Sequence, residues 1–427
     1  MREMKDSGIA WCGNIPAHWN IMSNKYIMSK QKVICPVYNG EDILSLTMSG
    51  VIVRDLDAGG KMPASFNGYQ IIHTNNLLMC LFDYDVTPRC IGLIKNEGLT
   101  SPAYSQFVMK NGNSSNYYYY YYLMIDHTKE LLHLAKNLRH SFTEDQLGTI
   151  STPVPPIDEQ QKIATFLDDK CSEIDSLRSD IEKEIELLEE YKKSVITEAV
   201  TKGLNPDVEM KDSGIEWIGE IPSDWDIKRT KYVANSLSKG NGITKEQVFE
   251  DGDIQCVRYG EIYSKYEQQF EIALSLTNIN QILSPKFINY GDILFAGTGE
   301  LVEEIGKNIV YVGNQPCLAG GDIVVLKHSQ NPRFLNYALS STCSQQQKSS
   351  GKTKLKVVHI SATDIGNIRI AVPPIKEQDR IADYLDIKCA ESNSAIVAKK
   401  EQLKILEDYK KSLIYEYVTG KKEVPAV

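Results

Sequence analysis

The chain has 427 residues, 42% hydrophobic and 24% charged, a soluble composition sufficient for two to four domains that excludes a disordered, collagen-like or membrane-spanning polypeptide. Nine cysteines, an odd number with no C-x-x-C pair, argue against a disulfide framework or structural zinc site, and charges near the N-terminus replace a signal peptide's apolar stretch, so a cytoplasmic protein without membrane contact is expected. The net charge of −9 disfavours a polyanionic partner only until it is divided along the chain: residues 156–203 and 204–227 carry −6 each, and residues 228–372 carry +3.

The first element, MKDSGIAWCGNIPAHWNI at residues 4–21, returns as MKDSGIEWIGEIPSDWDI at 210–227, matching at 12 of 18 positions with an offset of 206. All four tryptophans lie in these two segments and are expected to clip them onto a domain surface. Residues 23–150 follow as strand-like pieces broken by turns, then a helix beginning near Asn116 with six consecutive tyrosines. On a helix these spread around every face, so a buried aromatic side is expected over a base-stacking comb. Lys136, Arg139 and His140 close the block and are candidate nucleic-acid contacts.

Pro155 and Pro156, with Glu159 and Gln160 just behind, predict a helix start, and the helical pattern runs to Gly203. Ile174, Ile181, Leu188 and Val195 recur every seven residues, with Leu177, Ile185 and Tyr191 assigned to the same face. A helix of this length reaches about 67 Å, too long for one domain. Its outer face holds Glu186, Glu189 and Glu190, candidates for protein docking. The pattern returns after Pro374, offset by 218, with Ala395, Leu403, Leu406, Tyr409, Leu413 and Tyr417 on the seam and Lys399 and Lys400 interrupting it. The two helices are expected to pair antiparallel as a coiled coil.

The second block is again strands followed by a helix, from Asn331, but otherwise shares little with the first. Between Asp322 and Asp364 it has no acid, while Lys348, Lys352, Lys354 and Lys356 lie in QQQKSSGKTKLK, a pattern expected of a flexible basic loop following phosphates. GKT at 351–353 lacks the earlier glycine of a P-loop, since position 346 is Gln346. FxGxG at 295–299 resembles the cofactor motif of adenine methyltransferases, but SPAY at 101–104 lacks the second proline of their catalytic tetrapeptide and lies in the other copy. The histidines show no metal-binding spacing.

Matched segment, variable block, VPPIxEQ and long helix, all repeated once, resemble the DNA-specificity subunit of type I restriction-modification systems over essentially the whole chain. The resemblance implies a mixed α/β fold with a pseudo-twofold internal repeat: a target-recognition domain over 1–155, a conserved helix over 156–203, a linker and second recognition domain over 204–372, and a second conserved helix over 373–427. It implies a non-catalytic subunit that binds double-stranded DNA at a bipartite asymmetric site. Two methyltransferase subunits, which would carry S-adenosylmethionine, and motor-nuclease subunits are the implied partners; no cofactor is expected in this chain. A self-contained adenine methyltransferase and a coiled-coil scaffold without DNA are the alternatives.

Overall fold

The computed structural model describes residues 2–58, 63–135, 140–353 and 356–425. Both long helices form where the proline and capping signals place them, over Ile157–Lys202 and Ile375–Val418. The chain divides into two compact units, one of residues 1–182 and 401–427, the other of residues 183–400. Each unit therefore takes part of both helices.

In the first unit the strand Asn20–Ser23 pairs antiparallel with Ser151–Val154, so the ladder closes the variable block at its own entry and exit. Inside it, Ile91–Leu93, Leu77–Met79, Ser105–Met109 and Met28–Gln31 form an antiparallel sheet in that order, beside a smaller sheet of Gly98–Thr100, Gln70–Ile72 and Val33–Ile34. The helix Ser115–Thr128 carries the tyrosine run. It fills the core: five of the six tyrosines are at most 5% exposed and Tyr119 is partly buried. Burying a phenol requires a partner for its hydroxyl. Tyr117 donates to the Val418 carbonyl at 2.8 Å, Tyr118 to that of Pro153 and Tyr120 to the Asp168 carboxylate, while Tyr121 accepts from Trp11. A base-stacking role for this run is thereby excluded.

The second unit repeats the frame. Asp226–Arg229 pairs with Arg369–Val372 to close the block. A five-stranded sheet runs Ala234–Lys239, Ile323–His328, Ile293–Ala296, Asn308–Tyr311, Gln269–Phe270, and a four-stranded one runs Ser275–Thr277, Ile254–Val257, Cys317–Ala319, Phe287–Ile288. Each sheet includes one parallel pair.

The same polar clamp seats each block on its long helix. Gln160, wholly buried, accepts from the Ser114 backbone N–H at 2.9 Å and donates to the Pro155 carbonyl; Gln378, wholly buried, accepts from Asn331 N–H at 3.0 Å and donates to Pro373. Ser114 and Asn331 are the N-caps of the helices Ser115–Thr128 and Pro332–Ser340, so one glutamine fixes a helix start in each unit. Six residues into each helix, Tyr120 and Tyr337 donate to Asp168 and Asp386, both at 2.8 Å. Trp19 and Trp225 are wholly buried and donate from the indole N–H to Glu159 and Glu377 at 3.0 and 3.1 Å. Trp217, by contrast, is 47% exposed, so it does not anchor as its counterparts do.

Within each unit the two long helices pair antiparallel. In the first, Phe166 stacks on Tyr417 with ring centroids 4.4 Å apart, and Lys410 grips both oxygens of Asp175 at 2.6 and 2.7 Å. In the second, Lys192 donates to Asn393 at 2.7 Å and Lys399 pairs with Glu184. Lys192 and Lys410 are repeat equivalents, as are Asp175 and Asn393, so one polar link is made twice. Ile174 is buried, and Ile181, Leu188, Val195 and Leu406 are half-buried beside buried Leu413, as a seam requires. The second row of the first helix's seam, however, lies four residues after these positions, at Arg178, Ile185 and Lys192, rather than three. Leu177 and Tyr191 therefore face outward, each 52% exposed, as does Tyr409 at 54%. Lys192 and Lys410 fix its register through their partners on the other helix, while Arg178 pairs with Glu182 of its own helix.

Candidate nucleic-acid interface

The basic stretch of the second unit is not one exposed loop. Residues Thr342–Ser349 form a helix, begun by Ser341, whose hydroxyl accepts from the Ser344 N–H. This turns Lys348 into the core at 1% exposure. Its Nζ donates to the Gly306 carbonyl and to Asn308 Oδ1, both at 2.8 Å, and lies 5.4 Å from the centroid of the Phe295 ring. Burial pushes its pKa from 10.5 down to about 7. Lys348 is thus a core residue and its assignment to DNA is corrected: its ammonium has no path to a phosphate.

Lys352 is half-buried and donates to Asp364 at 2.8 Å. Burial works to raise the Asp364 pKa, but hydrogen bonds from Lys352 and Ser361 outweigh it and hold the carboxyl below its usual range. Lys356 is exposed. Lys354, and Lys136 and Arg139 of the first block, lie outside the described residues. His140 sits in the left-handed region at φ +42° and places Nδ1 2.6 Å from Asp85, which occupies it with a neighbouring carboxylate. Of the proposed DNA contacts within the described residues, only Lys356 stands exposed without an intramolecular partner shown for it.

The sequence motifs that suggest catalysis have structural explanations. Phe295 is wholly buried; a Cβ on Gly297 would stand 2.7 Å from the Asp322 carbonyl, and one on Gly299 2.7 Å from Tyr263 Oη. These glycines permit close strand contacts and leave no cradle for a cofactor, so residues 295–299 do not fit S-adenosylmethionine. Lys352 of GKT is engaged by Asp364. Among the described residues no group of three or more His, Cys, Asp or Glu could hold a metal, all nine cysteines are free and buried, and no helix is long and apolar enough to cross a membrane.

Two exposed features were not expected as surface sites, although Tyr191 and Tyr409 of the first were assigned to the seam. On the long helices, Leu187 and Tyr191 are 64% and 52% exposed, and their repeat equivalents Ile405 and Tyr409 are 58% and 54% exposed. An i, i+4 apolar pair is thus left in water at equivalent places of both copies. The signal was available: these positions match at the offset of 218. Glu186, Glu189 and Glu190 are exposed beside the first of these pairs. The second feature is the turn Ile282–Lys286, where Leu283 is 92% exposed. Its sequence signals were the turn residues Ser284 and Pro285.

The family model described as the type I restriction modification DNA specificity domain matches residues 91–187 and 222–405. The chain is 26% identical over 278 residues to the type I restriction enzyme MjaVIII specificity subunit of Methanocaldococcus jannaschii, covering 64% of this chain and 62% of that protein. It is 25% identical over 246 residues to the StySPI specificity subunit of Salmonella potsdam, covering 54% and 49%. The chain thus spans about half to three-fifths of these relatives' lengths. A chain from a solved structure concerned with complex assembly and conformational transition of a type I R-M system superposes with a TM-score of 0.70, at 14% identity, over 96% of this chain and 99% of that one. At that identity the likeness speaks for the fold.

Proposed function

From the premise that the chain belongs to the type I restriction-modification DNA specificity family, we propose that it is the non-catalytic subunit that selects the DNA site for a methylating and restricting complex. Each unit reads one half of a bipartite, asymmetric site in double-stranded DNA, and the long helices set the spacing between the halves. The supporting observation is one frame made twice around unlike blocks: the same glutamine clamp, tryptophan anchor and closing ladder hold two different sets of sheets. A frame kept constant around divergent contents suits two different half-sites presented to one kind of machinery. Leu187 with Tyr191 and Ile405 with Tyr409 suit two copies of one partner, the adenine methyltransferase subunit carrying S-adenosylmethionine, with the motor-nuclease subunit joining that assembly.

The test is co-expression with a methyltransferase subunit in a host lacking DNA methylation, followed by methylome sequencing. The expected result is adenine methylation at one two-part motif that requires this chain. Methylation that persists at the same motif without this chain, or by this chain alone, would refute the assignment.

A further inference from the structure

The turn Ile282–Lys286 is built more rigidly than a connection requires. Ile282, 8% exposed, is anchored among Ile254, Cys256 and Leu318. Ser284 is held at φ +51°, a conformation disfavoured for a residue with a Cβ. The strap that holds it is Asn241, itself 6% exposed. Its side-chain amide donates to the carbonyls of Ser284 at 3.0 Å and Leu283 at 3.4 Å, and its oxygen accepts from Lys286 N–H at 2.7 Å. Asn241 is fixed in turn by its own N–H to the Ala319 carbonyl at 2.6 Å. Neighbouring Gly240 approaches so closely that a Cβ would stand 2.4 Å from the carbonyls of Ala319 and Gly320.

All this holds a leucine in water. At 92%, Leu283 is the most exposed large apolar side chain among the described residues. Two lysines stand beside it: Lys286 donates to the Lys239 carbonyl at 2.9 Å, and Lys239 and Lys286 are exposed with no carboxylate partner among the described residues, while the Asp253 carboxylate accepts from the Ile279 N–H at 2.8 Å. Lys327 follows, donating to the Phe287 carbonyl at 3.4 Å and paired with Asp292 at 3.6 Å. An exposed leucine on a rigid mount, flanked by the ammonium groups of Lys239 and Lys286 that no carboxylate neutralises, has the chemistry of a wedge that enters a base step while the cations hold adjoining phosphates.

We infer that Leu283 is a wedge that enters one base step of the half-site read by the second unit, with Lys239 and Lys286 on the flanking phosphates. This rests on the proposed function, since it requires DNA on this unit. Its effect is specificity through deformability: a step that unstacks easily is preferred without any hydrogen bond to a base edge.

The experiment uses the complete complex with its partner subunits and duplexes bearing the motif found by methylome sequencing, with 2-aminopurine substituted in turn at each position of the half-site. A fluorescence rise on binding is expected at one step, lost in Leu283→Ala and kept in Leu283→Met, with cognate affinity about 10-fold lower in the alanine variant, the scale of removing a well-seated leucine from a contact. Lys286→Ala should leave the 2-aminopurine signal in place while lowering the log-log salt slope by about 0.9. Wild-type affinity and fluorescence in Leu283→Ala would overturn the wedge and leave the DNA reading intact. Loss of subunit assembly with intrinsic DNA contacts unchanged would overturn it in favour of a protein contact. Failure of the wild-type complex to bind its motif would overturn both.

Discussion

Replacing Lys348 by methionine isolates the energetics of one buried charge. With a folded pKa of about 7 against an ordinary 10.5, the protonated form is penalised in the folded state by about 5 kcal/mol, at 1.36 kcal/mol per unit. Below pH 7 both states hold the proton and the whole penalty applies. As pH rises from 7 towards 10.5 the unfolded chain binds a proton that the folded chain does not, so stability increases with pH. Integrated from pH 7 to 9, this group alone contributes a gain of about 2 kcal/mol. Lys348→Met keeps the volume, orphans two acceptors at a cost of about 1–3 kcal/mol, and removes the titration. The stability of wild type relative to Lys348→Met should therefore rise by about 2 kcal/mol over that window, or about 1 M in the urea midpoint for a slope near 2 kcal/mol per M. Pulsed thiol labelling of Cys256 and Cys317, both wholly buried, read by mass spectrometry across a urea series, follows this unit alone. Parallel pH profiles for the two proteins would show that the ammonium is not desolvated as its surroundings require.

Inserting four residues after Glu182 in the first long helix and four after Lys400 in the second, where the chain passes from one unit to the other, lengthens both by about 6 Å, comparable to two base-pair steps, and methylation should move to motifs with a longer spacer and unchanged halves; a changed half-site at the old spacing would refute the ruler. Tyr191→Ser with Tyr409→Ser should weaken capture of the methyltransferase subunit by at least about 10-fold in pull-down titrations, because each removes an exposed aromatic at the proposed contact. Charge reversal of Glu186, Glu189 and Glu190 tests the neighbouring acids separately, and unchanged capture in both variants would place docking elsewhere. Lys356→Ala should reduce the log-log salt slope of DNA binding by about 0.9 without altering the methylated motif; a changed motif would make this lysine a base reader. Gln378→Leu leaves the Asn331 N–H without its acceptor and should destabilise the second unit by about 1–3 kcal/mol, measured by the same cysteine labelling; no loss of stability would show that the clamp is dispensable.

Periodicity and repetition carried the frame into the sequence plainly. The helix starts at Pro156 and Pro374, the seven-residue seam and the offset matches all describe interactions local to a helix or shared by two copies. What failed depends on contacts distant in sequence. QQQKSSGK reads as polar loop because nothing nearby reveals that Gly306 and Asn308, some forty residues earlier, offer Lys348 two buried acceptors. Leu177, Tyr191 and Tyr409 read as seam because apolar residues are assigned inward by default, whereas the helix pairing gives the inward places to Arg178, Lys192 and Lys410. For Leu283 the turn was legible in Ser284 and Pro285, but its rigid mount was not, because that lies in Asn241, which no local pattern connects to it.

The closing ladders carry a consequence for how such a chain can change. Asn20 lies opposite Val154 and Ser23 opposite Ser151, as Asp226 lies opposite Val372 and Arg229 opposite Arg369. Entry and exit of each block are thus held one strand spacing apart, about 4.8 Å, by hydrogen bonds belonging to the frame. Anything inserted there need only return its chain to the neighbouring rung, and the cost of closing a longer excursion grows only logarithmically with length. The second block's extra 12 residues are accommodated without displacing a single clamp. Each block is in this sense a cassette in a socket: under the proposed function, recombination at the two rungs would exchange one half-site while the long helices and their clamps stayed as they were.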